Sequence, residues 1–196
     1  GESIDLEGHA SWGSGDVCVV EADEYKRAFH EYEPEIAVIT NIEADHLDYY
    51  GTEEAYHKAF VEFGRKVKPG GYVIPCGDDP GAAAMLGALN RGDAAIEPYG
   101  LGDSNEWRAA NIEATKTETT FEVLHRGRSE GRLVTILPGD HSVRNALAAA
   151  VVCLHEGVPF KEIADALRTF RGARRRFETI GEAGGVLVMD DYAHHP

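Results

Sequence analysis

Asp45, His46 and Asp48 stand together in TNIEADHLDYYG (residues 40–51), directly after the apolar run IAVIT. Glu21, Asp23 and Glu24 lie in VVEADEY, and Asp190, Asp191, His194 and His195 in VMDDYAHHP, again just past apolar runs. Carboxylates and an imidazole with open positions between them bind Mg²⁺ or Mn²⁺, cations that prefer oxygen and retain water. The same residues also have plainer uses. An acid after a strand caps a helix or fills a solvated turn, and a histidine there can simply be hydrogen-bonded. A fourth feature, the basic run GARRRFE (residues 172–178), can meet phosphate or form a solvated face. Taken singly, no cluster decides between these readings.

The elements that must position them alternate in type. DVCVVEAD (16–23), EIAVITN (35–41) and GYVIPCG (71–77) are short, nearly continuous apolar runs, as in strands covered on both faces. TEEAYHKAFVEFGRKV (52–67) has helical periodicity behind a capping threonine, and DDPGAAAMLGALN (78–90) is a second helix with Pro80 in its first turn. AAIEPYG (94–100) is a weaker strand. From 107 to 137 the chain alternates and is rich in Thr and Val, with turn signals KTET and RGRSEG, which predicts three antiparallel strands. Helices follow at 140–157 and 159–170, then two strands in FETIGE and GGVLVMDD. The expected fold is α/β, a mostly parallel sheet flanked by helices with a small antiparallel sheet. Its clusters lie just past the carboxyl ends of strands, where such folds place chemistry. A domain joint is expected near 171–173, dividing 1–171 from 172–196.

With 34 acidic and 19 basic residues the chain carries a formal charge of −15. Such a surface repels nucleic acid and anionic membrane, so neither is an expected partner. No apolar run approaches the ~20 residues of a membrane span, no signal peptide is seen, and both ends read as cuts in a longer parent. Cys18, Cys76 and Cys153 share no short spacing and sit in apolar runs. They are expected to be buried free thiols in a reducing cytoplasm, without disulfide or zinc. His30, His57, His125 and His155 fall within expected helices or strands and carry no assigned function.

In the order VVEADEY, TNIEADHLDYYG, GDHSVRNALAAA, RRRF and DDYAHHP, the chain resembles the Mur ligases of peptidoglycan synthesis over nearly its whole length. The resemblance implies a central ATPase domain entered beyond its phosphate loop, followed by the first strands of a C-terminal domain that closes on the nucleotide. The family's G-x-x-G-K-T loop, which cradles ATP phosphates, does not occur in this sequence, so the segment alone is expected to be inactive. Glu21 looks like the glutamate that binds Mg²⁺ beside the phosphates, and His46 like the histidine of the second Mg²⁺, with Asp45 or Asp48 capping the helix that follows. Asn145 matches the second asparagine of an H-N-x-x-N element that meets adenine. Its first asparagine is Ser142 here, with one donor rather than two. Arg176 looks like an arginine that reaches the ATP phosphates on closure, and Asp191 like an aspartate that contacts the nucleotide. Tyr192, His194 and His195 share that motif, and Thr40 and Asn41 lie at the strand end facing substrate. Where some relatives carry a carbamylated lysine, this chain has Phe60, with Lys58 offset by two residues.

The implied chemistry is ATP-driven amide formation. A muramic acid carboxylate takes the γ-phosphoryl group, and an amine displaces phosphate from the resulting acyl phosphate. The small Ala44 leans toward the branch that joins L-alanine to UDP-N-acetylmuramate. The alternatives are a recycling branch that attaches a whole peptide, another ligase of the superfamily, and a nucleotide-binding module without catalysis. Oligomeric state is not read from the sequence.

Overall fold

Ile36–Ile39 (β1) and Tyr72–Pro75 (β2) pair in parallel, Ile36 opposite Tyr72 and Ile39 opposite Pro75. Parallel strands are covered on both faces and therefore read as continuous apolar runs; Val73 and Ile74 of β2 are buried accordingly. The computed structural model describes residues 2–6, 8–89 and 94–193. A short turn, Leu47–Tyr50 (α1), and the helix Glu53–Gly64 (α2) connect β1 to β2. α2 begins where Thr52 accepts from the Ala55 amide at 3.1 Å, with Glu53 and Glu54 at the positive end of the helix dipole. It buries Tyr56, Ala59, Phe60 and Phe63, and Phe29, from the irregular turn Tyr25–Glu31, packs against Phe60 and Phe63. Pro80–Ala88 (α3) leads to Ala95–Ile96 (β3), which extends the sheet in parallel to the order β1-β2-β3.

The run AAIEPYG does not stay one strand. Pro98 has no amide to give a ladder, and the chain divides there into β3 and Tyr99–Gly100 (β4), which joins a second sheet. In that sheet β4 pairs in parallel with Trp107–Ala114 (β5). β5 continues antiparallel into Thr119–His125 (β6) and Arg128–Thr135 (β7), the three strands expected. Arg126 and Gly127 turn between β6 and β7 with φ of 50° and 77°, the positive pair that a two-residue hairpin requires. Asp140–His155 (α4) lays Val143, Leu147, Ala150 and Val151 into the core beside this sheet, and Phe160–Thr169 (α5) covers β7. Gly131 of β7 lies under the Phe160 ring, where a Cβ would overlap it. Glu178–Ala183 (β8) and Val186–Asp190 (β9) form a separate antiparallel hairpin, as expected, with most of both faces exposed. No helix among the described residues is long and apolar enough to cross a membrane.

The strand expected at 16–23 is not formed. It has no ladder partner among the described residues, and Val17, Val19 and Val20 are exposed, Val19 by 88%. An apolar run becomes a parallel strand only where neighbours pair its amides and cover its faces; among the described residues β1 pairs with β2 alone. Cys18, within that run, is therefore exposed rather than buried. Cys76 is buried and Cys153 partly so, and burial raises the Cys153 thiol above its usual pKa.

Two consecutive aspartates join these parts. Asp79 Oδ1 accepts from the Ala82 amide at 2.7 Å, capping α3, and from the Ile42 amide at 2.9 Å, just past β1. Asp78 accepts from the Leu101 and Gly102 amides and from Asn105 Nδ2, at 2.5, 3.0 and 2.9 Å. Gly81 lets α3 approach so closely that a Cβ there would overlap the Ile42 carbonyl oxygen. Asp79→Ala removes a cap worth about 1 kcal/mol and leaves the Ile42 amide short of a partner at about 1–3 kcal/mol. The expected loss is about 2–4 kcal/mol in urea unfolding, with Gly81→Ala also destabilising. A midpoint for Asp79→Ala equal to that of the parent sequence would show that this clasp contributes nothing.

Candidate functional site

β1 ends at Ile39, and the chain leaves it through Thr40 and Asn41, both exposed, the Thr40 hydroxyl donating to Asn41 Oδ1 at 3.1 Å. Ile42 turns back into the core and is held there by Asp79. Asp45 Oδ1 then accepts from the His46 amide at 2.6 Å, and His46 takes the left-handed conformation, φ 52° and ψ 37°. That conformation costs a residue with a Cβ about 1–2 kcal/mol. The His46 carbonyl receives the Tyr49 and Tyr50 amides at 2.9 and 3.0 Å, so the strained residue starts α1. Neither Asp45 nor Asp48 caps the helix, contrary to expectation. His46 occupies the cap position without a side-chain bond, Asp48 lies in the first turn of α1, and Thr52 caps α2.

The effect is to aim an imidazole at acids. His46 Nε2 lies 3.5 Å from Glu24 Oε1, and Nδ1 lies 3.7 Å from Asp45 Oδ1. The Tyr25 ring leans on the imidazole at 4.8 Å between centroids. The Tyr50 hydroxyl donates to the Glu24 carbonyl oxygen and so fixes the backbone that carries Glu24. Burial raises the Tyr50 phenol above its usual pKa, which keeps that donor protonated. About a third of the His46 side chain remains exposed, which leaves a face open to a ligand. The two acids lie at opposite ring nitrogens, so they orient the imidazole from both sides and leave its exposed edge to face a hydrated divalent cation.

The acid that meets His46 is thus Glu24. Glu21 lies three residues earlier on the exposed segment before the turn. The sequence pattern pointed to Glu21 as the metal-binding acid near His46; the acid within reach of the ring is Glu24, from the same cluster. The backbone of Lys26 and Arg27, at φ 52° and 60°, sets how the chain turns there, and side-chain periodicity carries no signal for it.

The remaining candidates lie on α4 and around the hairpin. Ser142 is buried, and its hydroxyl donates to the Pro138 carbonyl at 2.7 Å, bracing the start of α4. Asn145, three residues on, is exposed. His141 stacks on Phe177 at 5.8 Å, which brings the start of α4 against the start of the hairpin. Arg176 is exposed beside Phe177. Asp191 accepts from the Phe177 and Ala193 amides at 2.9 and 2.7 Å, clasping the two ends of the hairpin. Tyr192 lies under the Arg175 guanidinium at 4.4 Å. His194 and His195 lie outside the described residues. Phe60 is buried in the core, and Lys58 lies 3.8 Å from Glu62 on the outer face of α2.

Comparison with known proteins identifies the framework that carries these residues. A Mur ligase middle domain matches residues 10–153. The chain belongs to the Mur ligase family. A UDP-N-acetylmuramate–L-alanine ligase of Salinibacter ruber is 44% identical over 188 residues, 96% of this chain and 39% of that protein. A protein of the same name from a Roseiflexus species is 43% identical, over all of this chain and 45% of its own length. The chain thus spans about two fifths of the length of the curated relatives it matches. Among solved structures, UDP-N-acetylmuramate-alanine ligase MurC from Thermotoga maritima superposes with a TM-score of 0.71 at 28% identity, over 86% of this chain and 37% of that one. A murein peptide ligase from Psychrobacter arcticus superposes at 0.63 with 30% identity, over 86% of this chain and 34% of that one.

The backbone at His46 in this Mur ligase chain is directly testable. Glycine adopts a left-handed conformation without penalty, so His46→Gly should unfold later in urea than His46→Ala, by about 1 kcal/mol. Coincident transitions for the two variants would mean that the turn is not held left-handed in solution.

Proposed function

We propose that this chain is the central segment of an ATP-dependent ligase that joins L-alanine to UDP-N-acetylmuramate. The observation that carries the reading is His46, held in a strained turn at the carboxyl end of a parallel strand with Glu24 and Asp45 around its ring. Relatives bearing that activity as their name, at 41–44% identity, support it. In this reading residues 1–171 belong to the central domain and 172–196 begin the next one.

Each residue then has a task. Glu21 and His46, with Glu24 and Asp45 orienting the imidazole, would hold Mg²⁺, which when bound neutralises phosphate and carboxylate oxygens that otherwise repel one another. Thr40 and Asn41 face the muramic acid carboxylate from the strand end, and Tyr192, His194 and His195 meet substrate from the other side. Asn145 and the start of α4 braced by Ser142 receive the adenine of ATP. Arg176 and Asp191 approach its phosphates when the domains close, and Arg176 adds positive charge where the transition state is most negative. The carboxylate attacks the γ-phosphorus, the bond to ADP breaks, and an acyl phosphate forms. The alanine amine then attacks the acyl carbon, loses a proton and expels phosphate, leaving the amide. ATP and nucleotide-linked sugars meet in the cytoplasm, and the reaction is assigned there.

The likeness to a murein peptide ligase favours a second reading, in which the acceptor is a whole peptide. Phosphate release by the complete ligase carrying this segment separates the two, with ATP, Mg²⁺ and UDP-N-acetylmuramate present and L-alanine or a tripeptide offered in turn. Turnover with alanine is expected, falling by about 10²–10³ in His46→Ala and Glu21→Ala, the scale for losing transition-state charge stabilisation. Turnover with the tripeptide alone would transfer the assignment to the recycling reaction. Silence with every acceptor would leave a nucleotide-binding module.

A further inference from the structure

We propose that Glu97, Glu106 and His125 form a second metal site, for a divalent transition-metal cation, Zn²⁺ first. The site is separate from the residues around His46 and does not depend on the ligase reading. One oxygen of each carboxylate and one ring nitrogen of His125 lie within 4.8 Å of one another. Zn²⁺ holds such donors at about 2.0–2.2 Å, so closure asks only for side-chain rotation.

The donors come from three segments that the backbone already fixes. Glu97 lies in the link between β3 and β4, Glu106 directly before β5, and His125 at the end of β6. The Glu106 amide donates to the Pro98 carbonyl at 3.0 Å and the Arg126 amide to the Glu106 carbonyl at 2.8 Å. Trp107 is the cross-strand partner of His125. The spacing of the three residues is therefore set by main-chain bonds.

The side-chain bonds leave one donor atom of each residue for an ion. Glu97 is 7% exposed, and both its hydrogen bonds, from Trp107 Nε1 at 2.6 Å and His155 Nε2 at 3.0 Å, reach Oε2. Both bonds from Arg126 reach Oε1 of Glu106, at 2.8 and 2.5 Å. Oε1 of Glu97 and Oε2 of Glu106 accept none of these. His125 Nε2 is a buried atom without a hydrogen-bond partner, although Glu106 Oε1 is 3.5 Å away. Its ring cannot turn aside easily, because it lies flat on Trp107 at 3.8 Å and an interplanar angle of 2°. A desolvated imidazole nitrogen facing two carboxylates is an unsatisfied group in a native core, and a cation would satisfy it. The bonds from Trp107 and His155 would serve as the outer layer that orients a metal-binding carboxylate.

Access and selectivity follow from the surroundings. A surface cavity of about 420 Å³ is lined by Glu106, Arg126 and Ser104 among others, so one of the three donors borders open space from which a hydrated cation can approach. Arg126, 67% exposed in its side chain, can swing to solvent when a cation takes its place. One nitrogen and two oxygens around largely buried donors suit four-coordinate Zn²⁺ or Co²⁺, whereas Mg²⁺, which keeps several waters, would need more open positions than this setting gives. A bound ion would pin the link between the two sheets to β5 and β6.

Titration with Co²⁺ and Zn²⁺ in a Trp12→Phe, His46→Ala background tests this. Trp107 is then the only tryptophan, and the other candidate site has lost its imidazole. We expect saturation at one equivalent, a visible Co²⁺ band displaced by Zn²⁺, a change in Trp107 emission, and no response to Mg²⁺. His125→Phe keeps a ring on Trp107 and Glu106→Gln keeps the shape of the side chain. Each, with its circular dichroism unchanged, should weaken Zn²⁺ at least about tenfold. Zn²⁺ binding that is unaltered in both variants, or absent up to about millimolar ion, would overturn the proposal.

Discussion

The fold and the candidate site both hang on two carboxylates in the core of a loop, Asp78 and Asp79. A carboxylate acceptor bonded to amides is about twice as strong as a neutral one, and here four backbone amides and the Asn105 side chain converge from three places. Asp79 reaches the Ile42 amide past β1 and the first turn of α3; Asp78 reaches residues 101, 102 and 105 before β5. The glycines around them follow from that convergence. A Cβ at Gly100 would press on the Asp78 carboxylate, and one at Gly77 would overlap Asn105. Because Ile42 is fixed, the four residues from it to His46 start from a known point, and the strain at His46 can be sustained. Without the Ile42 anchor, the left-handed turn would relax at a gain of about 1–2 kcal/mol.

The two sides of the candidate site are not built alike. On the His46 side every backbone turn is bonded: Asp45 to the His46 amide, His46 to Tyr49 and Tyr50, and Tyr50 to Glu24. On the Glu21 side the chain runs exposed, without ladder bonds among the described residues. Backbone bonds thus preorganise the first half, whereas the second is not held by a strand ladder among the described residues. The hairpin that carries Arg176 and Asp191 has its own closure, Asp191 to Phe177, and meets α4 through the His141–Phe177 stack.

Local periodicity was enough to read most of this. β1, β2, α2, α3, the antiparallel strands, α4, α5 and the final hairpin each carry their pattern within their own residues, and a capping Thr52 or Asp79 marks the start of a helix. What depends on a distant partner was not legible. The run at 16–23 has a strand's composition, yet a strand exists only when another pairs with it. The choice of Glu24 over Glu21 depends on turn geometry at Lys26 and Arg27. The cluster of Glu97, Glu106 and His125 draws on three segments whose meeting follows from the break at Pro98. No spacing in the sequence announces it.

The exposed apolar residues finish the physical account. Val17, Val19 and Val20 on one segment, and Ile180, Val186, Leu187 and Val188 on the hairpin, all stand in water. Burying such side chains is favourable by roughly 1.5–3 kcal/mol each, so two strips of them represent a substantial unused driving force. Both strips are of strand type, and both flank the residues proposed to bind nucleotide. The curated relatives are more than twice as long as this chain, and under the function proposed above, strands and helices pairing with these strips would bury them. They would also cover the segments that carry Glu21 and Arg176. The same event that completes the core would then complete the site.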